Sequence, residues 1–161
     1  MKRIMAVVII MFACASVVHA QEAKSETAKN KTAKEYIADL SSTNESIVIQ
    51  AAQWLGKEKE SDAVPKLKEL LTQDNRNKVR LHSAMALGYI GEESSIDALN
   101  GRLLNEPVAD VRYTILLAIT RVGISKKEHV EVLKKARDNE SDIFIKDYLD
   151  KMWERFKKSA E

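Results

Sequence analysis

Cysteine occurs once in the 161 residues, at Cys14, and histidine three times. A lone cysteine excludes an internal disulfide and a thiolate metal site. Beyond residue 20 the histidines are His82 and His129, on different predicted helices and without a His-x-x-x-His or Glu-x-x-His spacing, so no metal site is expected. The glycines form no phosphate-cradling loop, and the aromatics do not interleave with a basic run as on a single-strand nucleic-acid surface. No cofactor and no nucleic-acid partner is therefore expected. An excess of one charge is also missing. Lys and Arg number 26, Asp and Glu 24. The first 20 residues hold Lys2 and Arg3 and no acid, which leaves 24 of each sign beyond them. Such a balance creates no field that draws polyanions to the whole surface.

Long apolar runs are absent as well. The longest, residues 4–13, is too short to span a bilayer. With Lys2-Arg3 before it and Val18-His19-Ala20 after it, it reads as a secretory signal cut after Ala20. Met11-Phe12-Ala13 makes a poor lipid box, so lipid anchoring at Cys14 is not expected. Residues 21–31 are polar and lysine-rich, cannot offset their ordering entropy, and read as a flexible leader. Residues 32–161 suit one domain. The expected location is periplasmic or secreted, with no transmembrane segment.

What the chain does have is a beat. Ile47, Ala52, Leu55-Gly56, Val64, Leu67 and Leu71 recur 32 residues later as Val79, Ala84, Leu87-Gly88, Ile96, Leu99 and Leu103. Val111, Leu116, Ile119 and Val122 open a third copy on the same step, and a partial fourth begins at Ile143. A period of about 20–50 residues marks stacked supersecondary units that share a continuous core.

Within each unit the apolar spacing is helical, and no stretch alternates as a half-buried strand does. Eight helices are predicted, at about 33–41, 45–56, 63–72, 76–90, 95–104, 108–122, 126–137 and 141–157. Ser94-Ser95-Ile96-Asp97 and Ser125-Lys126-Lys127-Glu128 have the form of helix-start boxes. Gly91 and Gly123 fall just past helices, and Pro65 and Pro107 in first turns. Gly56 and Gly88 occupy equivalent positions and should let neighbouring helices approach. Gly101 has no counterpart, and a packing reason is expected for its helix-interior cost of about 1 kcal/mol.

The string from Lys78 to Gly91, Lys-Val-Arg-Leu-His-Ser-Ala-Met-Ala-Leu-Gly-Tyr-Ile-Gly, resembles the first helix of HEAT-like repeats, above all the short variety named after phycobilisome lyases. Asp110-Val111-Arg112 carries the opening of that pattern, and Val64-Pro65-Lys66-Leu67 looks like the start of its second helix. Val48 and Phe144 depart from it, standing where the other copies have Arg80 and Arg112. The resemblance implies an all-α, right-handed α-solenoid of about four helical hairpins.

Three groups of residues stand out for function. Arg80 and Arg112 lie one repeat apart and should form a ladder with acids or loop carbonyls, Asp110 among them, since a guanidinium can hold a carboxylate by two parallel hydrogen bonds. Lys66, Arg102 and Lys134 lie on second helices, which commonly line the concave face of such stacks, and form a basic candidate surface. Phe144, Tyr148 and Trp153 crowd the last helix, whose apolar stripe is wider than one neighbour covers, and form a candidate partner patch. With no convergent catalytic constellation, the expected role is a non-enzymatic protein-binding scaffold or adaptor in a bacterial periplasm. The alternatives are a chaperone or lyase for a bound chromophore or cofactor, suggested by the repeat's family name, and a self-assembling envelope component.

Overall fold

The computed structural model describes residues 31–123 and 127–160, with 127–129 and 156–160 by backbone alone. The expectations placed on residues 1–30 lie outside the described residues, as does the start signal at Ser125. Among the described residues eight α-helices follow one another: α1 (Ala33–Asp39), α2 (Glu45–Glu58), α3 (Val64–Gln73), α4 (Asn77–Ile90), α5 (Ile96–Leu103), α6 (Ala109–Val122), α7 (Lys127–Asn139) and α8 (Ile143–Ala160). Among the described residues there is no strand. The first helices α2, α4, α6 and α8 form one layer of an α-solenoid, and the second helices α3, α5 and α7 form the other.

Local chemistry sets the helix ends. The Asn44 carboxamide accepts the Ser46 amide at 2.9 Å and opens α2. At α5 the expected box is not used. Ser95 is wholly buried and caps nothing, Ser94 bonds the Glu92 carboxylate, and a short 3-10 turn, Glu93–Ser95, leads in instead. The same turn, Ser61–Ala63, precedes α3, where Pro65 sits in the first turn. Pro107 lies just before Val108, the cap residue of α6, rather than inside the helix. Gly91 takes φ 80° and returns its amide to Leu87 O at 3.0 Å.

The core runs the length of the stack. Leu55, Leu67, Leu71, Leu87, Ile96, Leu99, Ile115, Leu116 and Ile119 are fully buried, and Leu133, Ile145, Leu149 and Met152 extend it. Each such side chain contributes about 1.5–3 kcal/mol relative to exposure. What sets the helix spacing is smaller. A Cβ on Gly56 would lie 2.8 Å from Ala86 Cα, and one on Gly88 2.7 Å from Ala118 Cα. The same glycine-on-alanine contact therefore recurs one repeat on, and it holds α2, α4 and α6 close. At Gly101 nothing lies within 4 Å of where a Cβ would stand, so the expected packing reason is absent and nothing in the structure explains this glycine.

The beat changes at the last repeat. Val111, Ile115 and Ala118 of α6 are buried, and the buried residues of α8 are Ile145, Leu149 and Met152. The step from α6 to α8 is thus 34 residues, not 32. Ile143, read as the start of a fourth copy, is 80% exposed, and Phe144 does not occupy the Arg112 position. At the α6–α8 interface Thr120 and Met152 stand where the earlier interfaces have glycine and alanine, with the hydroxyl 3.8 Å from the sulfur.

Candidate binding face and its supporting ladder

Arginines at the starts of first helices staple the loops on one edge of the stack. Arg80 donates through Nε and Nη2 to both oxygens of Glu106, each at 2.8 Å, and through Nη1 to the carbonyls of Asp74 and Asn75. Arg112 repeats this with Glu140, each bond 2.8 Å, and with the carbonyls of Glu106 and Pro107. Each guanidinium so ties its own leading loop to the next. Asp110 takes no part; its side chain is exposed, and the acids of the ladder are Glu106 and Glu140.

Glu106 is the most enclosed member, its side chain 0% exposed. It also accepts Arg102 Nε at 2.7 Å and the Val108 amide at 3.0 Å. Burial pushes its carboxyl up, but the Arg80 bonds, the Val108 amide and Arg102 together outweigh burial and hold it at about 2. Glu140 is lowered in the same way: burial raises it, and Arg112 and the Asp142 and Ser141 amides bring it down. Because the fork of Arg112 serves four acceptors, Arg112→Lys should cost about 2 kcal/mol and lower the melting temperature by several degrees. An unchanged midpoint in a thermal scan would remove the ladder from the account.

The other sequence-predicted residues do not converge. Lys66 on α3 pairs with Glu69 at 2.8 Å, Arg102 on α5 is committed to Glu106, and Lys134 on α7 is exposed. The aromatic patch is divided too. Phe144 is 84% exposed, whereas Tyr148 meets Tyr113 edge-on at 5.5 Å and its hydroxyl lies 3.1 Å from Thr120 Oγ1. Trp153 is half-buried under the Arg137 guanidinium, 5.4 Å from its ring centroid. Ser83, with no exposed surface, is a packing residue.

A more coherent surface lies on the first helices. Stepping by 32 along α2, α4 and α6 and by 34 to α8 aligns Gln53, Met85, Leu117 and Lys151 in one row, and Lys57, Tyr89, Arg121 and Arg155 in the next. None of the eight is buried. Between α2 and α4 the rows bound a trough of about 360 Å³ with Ala52 and Ala86 in its lining. Between α4 and α6 they bound a second of about 140 Å³ over Ala118. Small lining residues keep these troughs open, and the glycine contacts hold their walls at one repeat spacing. Gln53 Nε2 lies 3.4 Å from His82 Nδ1, and burial pushes that imidazole down, towards the neutral form. A third hollow, between α6 and α8, has a different character, with Asp110, Asp142 and Asp147 beside Tyr113 and Phe144. A wider, open hollow near the α1–α2 loop has its charged groups already joined, Arg76 to Asp74 at 2.6 Å. Met85, Tyr89, Leu117 and Arg121 were not singled out by sequence, though the same 32-residue step relates them.

A repeat of paired helices, a glycine-spaced first layer and a stapled loop edge together describe one architecture, and the description of HEAT repeats matches residues 33–120. The chain belongs to the HEAT-repeat family. It is 33% identical over 120 residues to deoxyhypusine hydroxylase of Saccharomyces cerevisiae, which covers 70% of this chain and 37% of that one. It is 34% identical over 116 residues to deoxyhypusine hydroxylase of Candida albicans, covering 70% and 36%. Among solved structures it is similar to the complex of CpcE and CpcF of phycocyanin lyase from Nostoc sp. PCC7120, with a TM-score of 0.59 at 29% identity, over 68% of this chain and 43% of that one. The chain thus spans little more than a third of the length of the curated relatives it matches.

These HEAT-repeat relatives overturn several expectations. The non-enzymatic scaffold gives way to kinship with chains named for enzymes, a hydroxylase and a lyase. A bacterial periplasmic or secreted location gives way likewise, since the curated relatives come from S. cerevisiae, C. albicans and Kluyveromyces lactis. The physical reason for the first error is that a fold built to stack carries no mark of the chemistry it serves. Among the described residues no helix is long and apolar enough to cross a membrane.

Proposed function

We infer that this HEAT-repeat chain is the binding part of a modifying enzyme, and that its first-helix face seats what is to be modified. The observation that carries the reading is the kinship with both a hydroxylase and a two-chain lyase complex. The geometry supports it through the two troughs, whose walls are apolar and whose lining includes small residues. Hydroxylation inserts an oxygen atom into a C–H bond, chemistry that a metal or organic cofactor supplies. Among the described residues no three His, Cys, Asp or Glu side chains are grouped to hold a metal, so these residues do not fit such a centre and no chemical step is routed through them. What they do is bind and orient.

The test is a peptide-by-peptide mass comparison of the proteomes of cells with and without the gene. At least one protein should lose a mass increment in the deletion, regain it with the wild-type chain, and fail to regain it with Leu117→Glu at an exposed position of the first-helix face. Identical modification profiles in all three strains would contradict the reading.

A further inference from the structure

The two troughs share Met85 and Tyr89 as their dividing ridge. Leu117 adds a second apolar wall, 38% exposed. The charged side chains that line them are Lys57 and Arg121, and no carboxylate does. Arg121 rests its guanidinium 4.2 Å from the Tyr89 ring centroid, which holds the cation at the rim. Among the described residues it has no carboxylate partner. Lys57 meets Glu58 at 3.9 Å, and both are exposed, so that pair is weak. On the same face Lys78 and Arg155 are exposed as well, while the exposed acids Asp110 and Asp147 lie apart from the troughs, in the hollow between α6 and α8. A chain whose charges balance overall thus sets a local positive rim around an apolar floor.

We propose that this rim and floor take an acidic amphipathic segment of a protein partner, a proposal that rests on the reading of the first-helix face as the substrate seat. Packed helices lie about 8–10 Å apart, so the centres of neighbouring troughs are separated by roughly that distance. A helical segment rises about 1.5 Å per residue, which places apolar side chains at i and i+7 about 10 Å apart. Laid across the stack, such a segment drops one apolar side chain on each side of the Met85–Tyr89 ridge. Its flanking carboxylates then reach Lys57 at one end and Arg121 at the other, where the guanidinium offers two parallel donors. Partner choice comes from the sign of the rim, and affinity from the two buried anchors.

The experiment is methyl NMR of the full chain, read at Met85 and Leu117, with three synthetic peptides and one oligonucleotide. The first peptide is helical with Leu at i and i+7 and Glu on both flanks; the second has Lys for Glu; the third has Ser for Leu. The oligonucleotide is a single-stranded thymidine 12-mer. The expected result is that the first peptide shifts both methyl signals, that its affinity falls about tenfold or more in the Arg121→Glu chain, and that it weakens with salt. Lys57→Glu should weaken it independently, which covers a failure of either variant to fold. The proposal is overturned if the Lys or Ser peptide binds as tightly as the first, if the oligonucleotide binds these methyls more tightly, or if no peptide shifts them. Binding by the Lys or Ser peptide would leave the seat standing and change only its ligand, whereas silence at both methyls, with an unchanged modification profile, would remove the seat too.

Discussion

Glu106→Ala is expected to lower the free energy of unfolding by about 3–5 kcal/mol, and with it the melting temperature by roughly 10–20 °C. The reason is not the loss of one ion pair but what remains. Arg80 is 6% exposed and would keep its charge with two loop carbonyls and no carboxylate bonded to it, Asp74 being already paired with Arg76, while Arg102 and the Val108 amide would lose their acceptor. Removing one partner from a buried, hydrogen-bonded pair exposes the desolvation cost that the pair had offset. Urea unfolding followed by circular dichroism measures it, and a loss below about 1 kcal/mol would mean that water reaches Arg80. The same carboxyl makes an acid limit. Its folded-state value is about 2 against an ordinary 4.5, so the folded state binds its proton less readily than the unfolded chain. The stability it contributes, about 3 kcal/mol from the size of that shift, is fully present above pH 4.5 and disappears as pH falls towards 2. In Glu106→Gln that part of the acid-induced loss should vanish.

Gly88→Val is expected to cost about 3 kcal/mol, and Gly101, inside α5, supplies its control. At Gly88 the first added carbon would stand 2.7 Å from Ala118 Cα and 2.9 Å from Ala118 Cβ, backbone and stub atoms that cannot swing aside. The helices α4 and α6 must separate, and the buried side chains between them lose contact. At Gly101 the space is open, so Gly101→Ala should stabilise by about 1 kcal/mol through helix propensity alone. Opposite signs for two glycines in one fold, read from thermal unfolding of the two variants, are the signature of helix spacing set by Gly88. Equal effects would mean that α4 and α6 are not held by this contact.

Much of the fold was legible because packing is periodic. All eight helices follow from apolar spacing, since a residue buried against the next repeat must recur at the repeat length. The two-residue slip before α8 was not legible, because Ile143 and Phe144 are as apolar as the residues they displace from register, and only burial separates them from Ile145 and Leu149. The ladder was half legible. Arg80 and Arg112 announce themselves by position, but Glu106 lies 26 residues from Arg80 in a loop before a proline, where a carboxylate reads as solvated; Asp110, inside the Asp-Val-Arg motif, is the acid that position suggests instead. The candidate face was legible only in its spacing. Lys57, Tyr89 and Arg121 share the 32-residue step, yet differ in residue type, so no shared chemistry marks the row in the sequence. The chemistry of the enzymes it resembles was not legible, because this chain spans little more than a third of their length and a stacking fold carries no mark of chemistry.

The most direct test of the first-helix face as the working surface is photo-crosslinking in the native cell from an unnatural amino acid at Leu117, set beside the same probe at Lys134 on the second-helix side. The expected result is one protein captured from position 117 and not from 134, and that protein is the one whose mass increment disappears when the gene is deleted. Capture of the modified protein from position 134 alone, or capture from 117 only of proteins whose modification does not depend on this chain, would contradict it.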